Sequence, residues 1–420
     1  MGLLTSLFRE KVSSKKDARL KTEAEQDVAY ATGFLSFDFM NGTVVHVKTP
    51  EGKRFQYNSV GIVDGSIVMV IGRSGCGKTT FIMQSAGEIV KPFETSCIFH
   101  DDIEGGITQA RKEQLIGLHG DEFKECYISR NSGITAENFY ERIKMIHDLK
   151  VIENREKFVY DTDLYSTNGE KIYKLEPTVY ILDSLAMLMP EKYSDEEELS
   201  GQMSATAAAK ANASVFRRIV PMLKAANIIL FVVNHITEKV ELNAFSKTPA
   251  LVSYLKPGET LPGGRNPIYL SNLLIRLDDG SKLKDSEGFG IVGSVVTLTV
   301  LKSRTTSASS SVNLIFDYEK GFDRELSLFY LLKEKGLVNG AGAYLYFGDR
   351  SDIKFSQKNF KQKLSNTPEL QQVFYETAMI ALTDLINDNT PNEEDNMPEN
   401  DFDISGFILK QMNSELIATA

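Results

Sequence analysis

The sequence predicts an α/β fold with a mostly parallel central sheet, and three observations carry that expectation. Short β-branched apolar runs at 67–71, 97–99, 125–128, 179–182 and 228–233 alternate with helical segments. That is the pattern of strands buried on both faces and joined by crossover helices. The first run leads directly into a glycine-rich loop and then a helical stretch at 80–90. Finally, 420 residues with 42% hydrophobic and 25% charged side chains have the composition of a globular chain of two or three domains around one large core.

In chain order, residues 1–42 read as an N-terminal helix, with Leu4, Leu7, Phe8 and Val12 on one face, followed by a short packing segment. The apolar start is too short for a signal peptide. Residues 43–59 read as a hairpin around the turn signals Pro50-Glu51-Gly52. The core spans 60–317 and ends with two further strands, 273–277 and 295–301. A small α/β lobe follows over 318–386, with helices at 326–335 and 369–386 and an aromatic strand at 343–347. The tail, 387–420, is acidic: from Asp384 to Asp403 there are eight acids and no Lys or Arg. Such a segment is expected to be solvated. No apolar run approaches the ~18 residues of a spanning helix. Cys76, Cys97 and Cys126 are odd in number and widely spaced, which excludes a disulfide framework and makes a reducing, cytoplasmic setting the expectation. The net charge of −10 excludes bulk electrostatic capture of polyanions.

Chemistry concentrates at strand ends. Gly72-Arg73-Ser74-Gly75-Cys76-Gly77-Lys78-Thr79 satisfies G-x-x-x-x-G-K-[ST] between a strand and a helix. Its glycines let backbone N–H groups face phosphate oxygens at the positive end of the next helix, which continues through Thr80. Lys78 is placed to neutralise phosphate charge, and the Thr79 hydroxyl to ligate Mg²⁺. Cys76 reads as a small tolerated residue. The run 178–182 ends in Asp183, a partner for the metal, but Ser184 stands where many such families carry a water-activating Glu. That carboxylate must come from elsewhere. The run 97–100 leads into Asp101-Asp102-Ile103-Glu104; Glu104 is the first choice and Asp102 the second, beside an acidic turn without function. Another buried run closes in Asn234-His235, where a polar side chain could sense the terminal phosphate and signal to the long segment 236–265. Lys302 and Arg304 end a strong strand, either as cationic fingers on a neighbour's nucleotide or as a solvated strand end. The tetrapeptide Leu199-Ser200-Gly201-Gln202 resembles an ABC-transporter signature. It falls after the Asp strand rather than before it, and is read as loop.

Assembled, these residues resemble the RecA-family strand-exchange recombinases, in particular the phage UvsX-like branch. The resemblance rests on Thr32-Gly33-x-Leu35-Ser36-x-Asp38, Gly61-Ile-Val-Asp-Gly65, the phosphate loop, and Cys97-Ile98-Phe99-x-Asp101 with Ile107-Thr108. It continues through Leu182-Asp183-Ser184, Asn234-His235, Gly263-Gly264, Lys302-Ser303-Arg304 and Gly340-Ala341-Gly342-Ala343-Tyr344, all in family order. It implies a RecA-like P-loop ATPase core, with ATP and Mg²⁺ as ligands, and an N-terminal segment packing on the next protomer. It further implies Glu104 as catalytic carboxylate, His235 as γ-phosphate sensor, and Lys302 and Arg304 acting across a filament interface. The first DNA loop would lie at about 190–206, followed by a helix bearing Lys210 and Arg217. The second would lie at about 236–265, with Gly263 and Gly264 admitting the DNA strand closely and Arg265 beside them. The sequence departs from the family by one extra residue before Glu104 and by Arg111 where an aromatic faces the adenine.

The implied function is an ATP-dependent recombinase that forms helical filaments on single-stranded DNA and pairs it with homologous duplex. Its partners would be both DNA forms, further copies of the chain, a single-strand-binding protein and a loading mediator, with no membrane. The alternatives are a ring-forming RecA-fold helicase, which needs a separate N-terminal domain, and an ATP-binding scaffold without turnover.

Overall fold

In the computed structural model, the described residues are 27–48, 54–166, 169–193, 201–238, 255–284, 291–306 and 308–388. The N-terminal helix expected before residue 27, the acidic tail beyond residue 388, and parts of both expected DNA loops (194–200 and 239–254) lie outside them.

The centre is a nine-stranded sheet. Its strands in chain order are β1 (Ile67–Gly72), β2 (Ile98–Asp102), β3 (Tyr127–Arg130), β4 (Thr178–Asp183), β5 (Ile228–His235), β6 (Leu273–Lys284), β7 (Ile291–Ser303), β8 (Ser311–Asp317) and β9 (Gly321–Asp323). Across the sheet they run β9–β8–β7–β6–β1–β5–β4–β2–β3. The six strands from β6 to β3 are parallel, and β7, β8 and β9 add antiparallel pairs at one side. This is the RecA-like α/β class.

Period-two alternation sends β1 side chains to both faces. Val68 and Val70 join one core with Phe81, Ile82 and Phe37, while Ile67, Met69 and Ile71 join another with Phe139 and Phe216. Helix α1 (Lys78–Val90) follows β1 on the first face. Helices α2 (Gln109–Ile116), α3 (Ala136–His147), α4 (Gly201–Ala226) and α5 (Arg265–Leu270) complete the crossovers. In the C-terminal lobe, α6 (Arg324–Glu334) and α7 (Pro368–Asn387) enclose Phe329, Phe347, Phe355, Phe360 and Phe374. No helix among the described residues is long and apolar enough to cross a membrane.

Several local readings change. Glu125 and Cys126 close a short acidic helix, Gly120–Cys126, and the strand begins only at Tyr127. Gly201 and Gln202 belong to the first turn of α4 rather than to a loop, where the alanine-rich sequence that follows carries the helix back to them. β8 and β9 extend the sheet beyond the two terminal strands read from sequence. The Thr32–Asp38 signature is a closed local turn: buried Asp38 accepts from the Thr32 N–H at 3.0 Å and the Thr32 hydroxyl at 2.7 Å. Phe34, Phe37 and Phe39 of that segment are buried inside the chain. The strands Thr43–Lys48 and Arg54–Ser59 pair as a hairpin, and so do Val159–Tyr165 and Lys171–Leu175. The Tyr57 hydroxyl donates to the Tyr165 carbonyl at 3.3 Å, joining the two hairpins.

Candidate active site

Parallel register aligns the carboxyl ends of four strands. His235 of β5 pairs with Gly72 of β1, and Asp183 of β4 pairs with Asp102 of β2. The phosphate loop, Asp183, Glu104 and His235 therefore gather at one edge of the sheet.

The loop from Gly72 to Thr80 is shaped by packing behind it. A Cβ on Gly72 would come within 2.5 Å of the Leu277 carbonyl, and Gly77, at φ +87°, would meet Phe322 at 2.8 Å. Both positions thus need glycine for space, and Gly77 for its left-handed backbone as well. Cys76 is buried behind the loop and its thiol is pushed up by burial, which makes it a packing residue. Arg73, Ser74 and Gly75 are exposed on the outer side. Arg73 pairs with Glu238, across the loop mouth.

Lys78 opens α1, almost fully buried, and donates to the carbonyls of Gly72 at 3.2 Å and Arg73 at 2.9 Å. Burial holds its pKa below the usual lysine value. The Thr79 hydroxyl donates to Asp183 Oδ2 at 2.7 Å. The other Asp183 oxygen is buried with no hydrogen-bond partner among the described residues. Burial lifts the Asp183 carboxyl to about 6, opposed by the Thr79 hydroxyl and reinforced by the charges of Glu104 and Asp102. An orphaned, desolvated carboxylate beside a threonine hydroxyl is a donor set that fits a divalent cation.

Glu104 lies on the turn after β2, and its Oε1 stands 2.7 Å from His235 Nε2, with both side chains partly open to solvent. Asp102 is different. It is buried, with one oxygen bonded to Lys112 Nζ at 2.7 Å and the other accepting from the Gly105 N–H at 2.9 Å. Asp101 is likewise structural, buried against Arg130, Arg142 and the Tyr180 hydroxyl. At the end of β5, Asn234 Nδ2 donates to the Pro262 carbonyl at 2.9 Å, which ties the strand beside His235 to the returning arm of the long loop. The stem of that loop is a short pairing of Thr237–Glu238 with Glu259–Thr260. Arg276 anchors it through two bonds to Glu259, at 2.7 and 2.9 Å.

Lys302 and Arg304 are not part of this cluster. Lys302 pairs with Leu274, and the Arg304 N–H bonds to the Asn272 carbonyl. These positions are three and five residues before Leu277, the partner of Gly72, or roughly 10 and 17 Å of strand. Lys302 Nζ donates to the carbonyls of Ile268, Tyr269 and Ser271 at 3.1, 2.7 and 2.7 Å, and Arg304 donates to Tyr269. Burial, and then the Arg304 charge, bring Lys302 down to about 8.

Lys210 and Arg217 are exposed on α4, seven residues apart and so on the same side of the helix. Gly263 and Gly264, at φ +87° and +92°, have their own structural reason. A Cβ on the first would meet Leu185 at 2.7 Å, and on the second Ala209 at 3.0 Å. Arg265 begins α5 and is exposed. Arg111 bonds to Gln114 and to the Glu319 carbonyl. Lys112, Glu259, Arg276 and Phe322 were not singled out in the sequence, because each matters through a partner that no local spacing reveals.

A phosphate loop on a central strand, with an acidic strand two places away, defines a P-loop nucleoside-triphosphatase fold of RecA-like topology. Comparison with known proteins agrees. The chain is similar to Protein RecA of Thermotoga maritima, 23% identical over 194 residues covering 45% of this chain and 50% of that protein. It is similar to Protein RecA of Staphylococcus epidermidis, 23% identical over 382 residues covering 87% of this chain and 94% of that one. It is also similar to Protein RecA of Heliobacterium modesticaldum, 28% identical over 193 residues, 46% of this chain and 51% of that one. The matched stretch spans about half the length of the first and third relatives and nearly all of the second. No family model matches the chain. These are RecA-family homologues at low identity that together cover much of the chain.

Proposed function

We propose that this protein is an ATP-dependent DNA recombinase of UvsX-like type, acting as a helical filament on single-stranded DNA in the cytoplasm. The observation that supports this most is the split placement of its charged groups. One edge of the sheet gathers Lys78, Thr79, Asp183, Glu104 and His235, while Lys302 and Arg304 lie toward the opposite strand ends. A site completed only by a second copy favours an open, heterologous assembly.

In this reading the loop from Gly72 to Thr80 holds the ATP phosphates, and Lys78 exchanges its two carbonyl partners for phosphate oxygens. Thr79 and Asp183 would hold Mg²⁺, which when bound supplies charge neutralisation at the phosphates. Glu104 orients the attacking water, and His235 answers to the terminal phosphate. Asn234, bonded to Pro262, passes that state to the second DNA loop. Lys302 and Arg304 release their carbonyls and meet the neighbour's phosphates. Lys210, Arg217, Arg265 and the Gly263-Gly264 backbone line the single strand. ATP's preference for the DNA-competent arrangement links binding to turnover.

The test is ATP turnover with and without single-stranded DNA. The expected outcome is strong stimulation by DNA, abolished in Glu104→Gln. Turnover indifferent to DNA would overturn the recombinase reading.

A further inference from the structure

We infer that Asp102 and Lys112 are positioning residues that clamp the turn carrying Glu104; the inference rests on the reading of Glu104 as the water-orienting carboxylate. β2 ends at Asp102, and the chain must then turn sharply to present Glu104 to the phosphate edge. Two anchors hold that turn. On one side, the N–H groups of Ile103 and Glu104 point at the Asp183 carbonyl, at 2.7 and 3.4 Å. On the other, Asp102 Oδ1 accepts from the Gly105 N–H at 2.9 Å while Oδ2 bonds to Lys112 Nζ at 2.7 Å. Asp102 is 3% exposed and Lys112 8%, so the pair is shielded from solvent. Glu104 has a partly exposed side chain whose one side-chain hydrogen bond among the described residues is to His235. Its position is therefore set by the backbone of its own turn.

Both Asp102 oxygens are committed, which leaves none to polarise a water. Lys112 serves a second purpose. Without it, Asp102 would be an uncompensated buried carboxylate beside Asp183 and Glu104, and three acids at one sheet edge would repel.

The experiment joins turnover to amide exchange. In Lys112→Met, kcat is expected to fall by about 10–100-fold while nucleotide affinity, read with a fluorescent ADP analogue, changes by less than about twofold. Lys112→Arg should restore turnover. The neutral pair D102N/K112M should recover part of it, because the amide oxygen that replaces the Asp102 carboxylate still accepts from Gly105 and no buried charge is left unpaired. Deuterium exchange of a peptide spanning 103–107 should rise in Lys112→Met, with peptides from β1 and β4 unchanged. Wild-type turnover in Lys112→Met, or unchanged exchange at 103–107, overturns the clamp. A Lys112→Met protein that loses nucleotide affinity together with kcat also overturns it, since a positioning role spares binding. Full turnover in Glu104→Gln would overturn the underlying reading of Glu104 instead, and the exchange measurement would still report whether Lys112 holds the turn.

Discussion

His100 shows how much a single side chain on β2 contributes to the site's foundation. It is fully buried, its Nδ1 lies 2.6 Å from the Tyr127 hydroxyl, and its Nε2 has no partner among the described residues. Burial outweighs the neighbouring Asp102 charge and lowers its pKa from 6.5 to about 4. A depressed histidine favours the folded state when neutral. Its contribution is therefore fully present above pH 6.5 and is lost as the pH falls toward 4. The expected loss is on the order of 2–3 kcal/mol. Urea midpoints at pH 7.5, 6 and 5 should converge between wild type and His100→Gln as the medium becomes acidic; a constant gap would refute the assignment. The acids on either side of this strand end illustrate what spacing alone can reveal. In a line of sequence Asp101, Asp102 and Glu104 are near neighbours, with Glu104 the first choice for orienting water and Asp102 the second. Only packing separates them, giving Asp101 two arginines, Asp102 a lysine, and Glu104 an opening toward His235.

At the scale of elements, β1, β4 and β5 were legible because strands buried on both faces must be apolar throughout. The antiparallel strands β8 and β9 were not, because β8 follows a Ser/Thr run and buries its residues unevenly. Phe322 on β9 sits against Gly77, a contact between positions 245 residues apart that no window can display. The stem of the second loop was hidden for the same reason, since Glu259 becomes meaningful only beside Arg276. Helix α4 was expected only through the family resemblance and begins earlier than the loop reading of 199–202 allowed; its exposed Lys210 and Arg217 allow a quantitative expectation. If each meets one phosphate, Lys210→Ala and Arg217→Ala should each reduce the slope of log K against log salt for single-stranded DNA by about 0.7. Binding isotherms at several salt concentrations give that slope, and an unchanged value would remove α4 from the interface.

The whole molecule poses a different question, namely whether one copy can complete its own site. Lys302 and Arg304 lie at strand positions roughly 10 and 17 Å before Gly72, and their side chains turn toward carbonyls at the end of α5. A role for them in turnover therefore requires a neighbour, and mixing defective copies tests it directly. Lys78→Ala keeps both cations but lacks a working phosphate loop. The double variant K302A/R304A keeps the loop but lacks the cations. Each alone should be nearly inactive with single-stranded DNA. Mixed in equal amounts, they should recover about a quarter of wild-type turnover, the share of random interfaces that join an intact loop to intact cations. No recovery from two variants that still bind DNA together would exclude a role for the cations across the interface. Full activity in K302A/R304A alone would show that their bonds to α5 are their entire role.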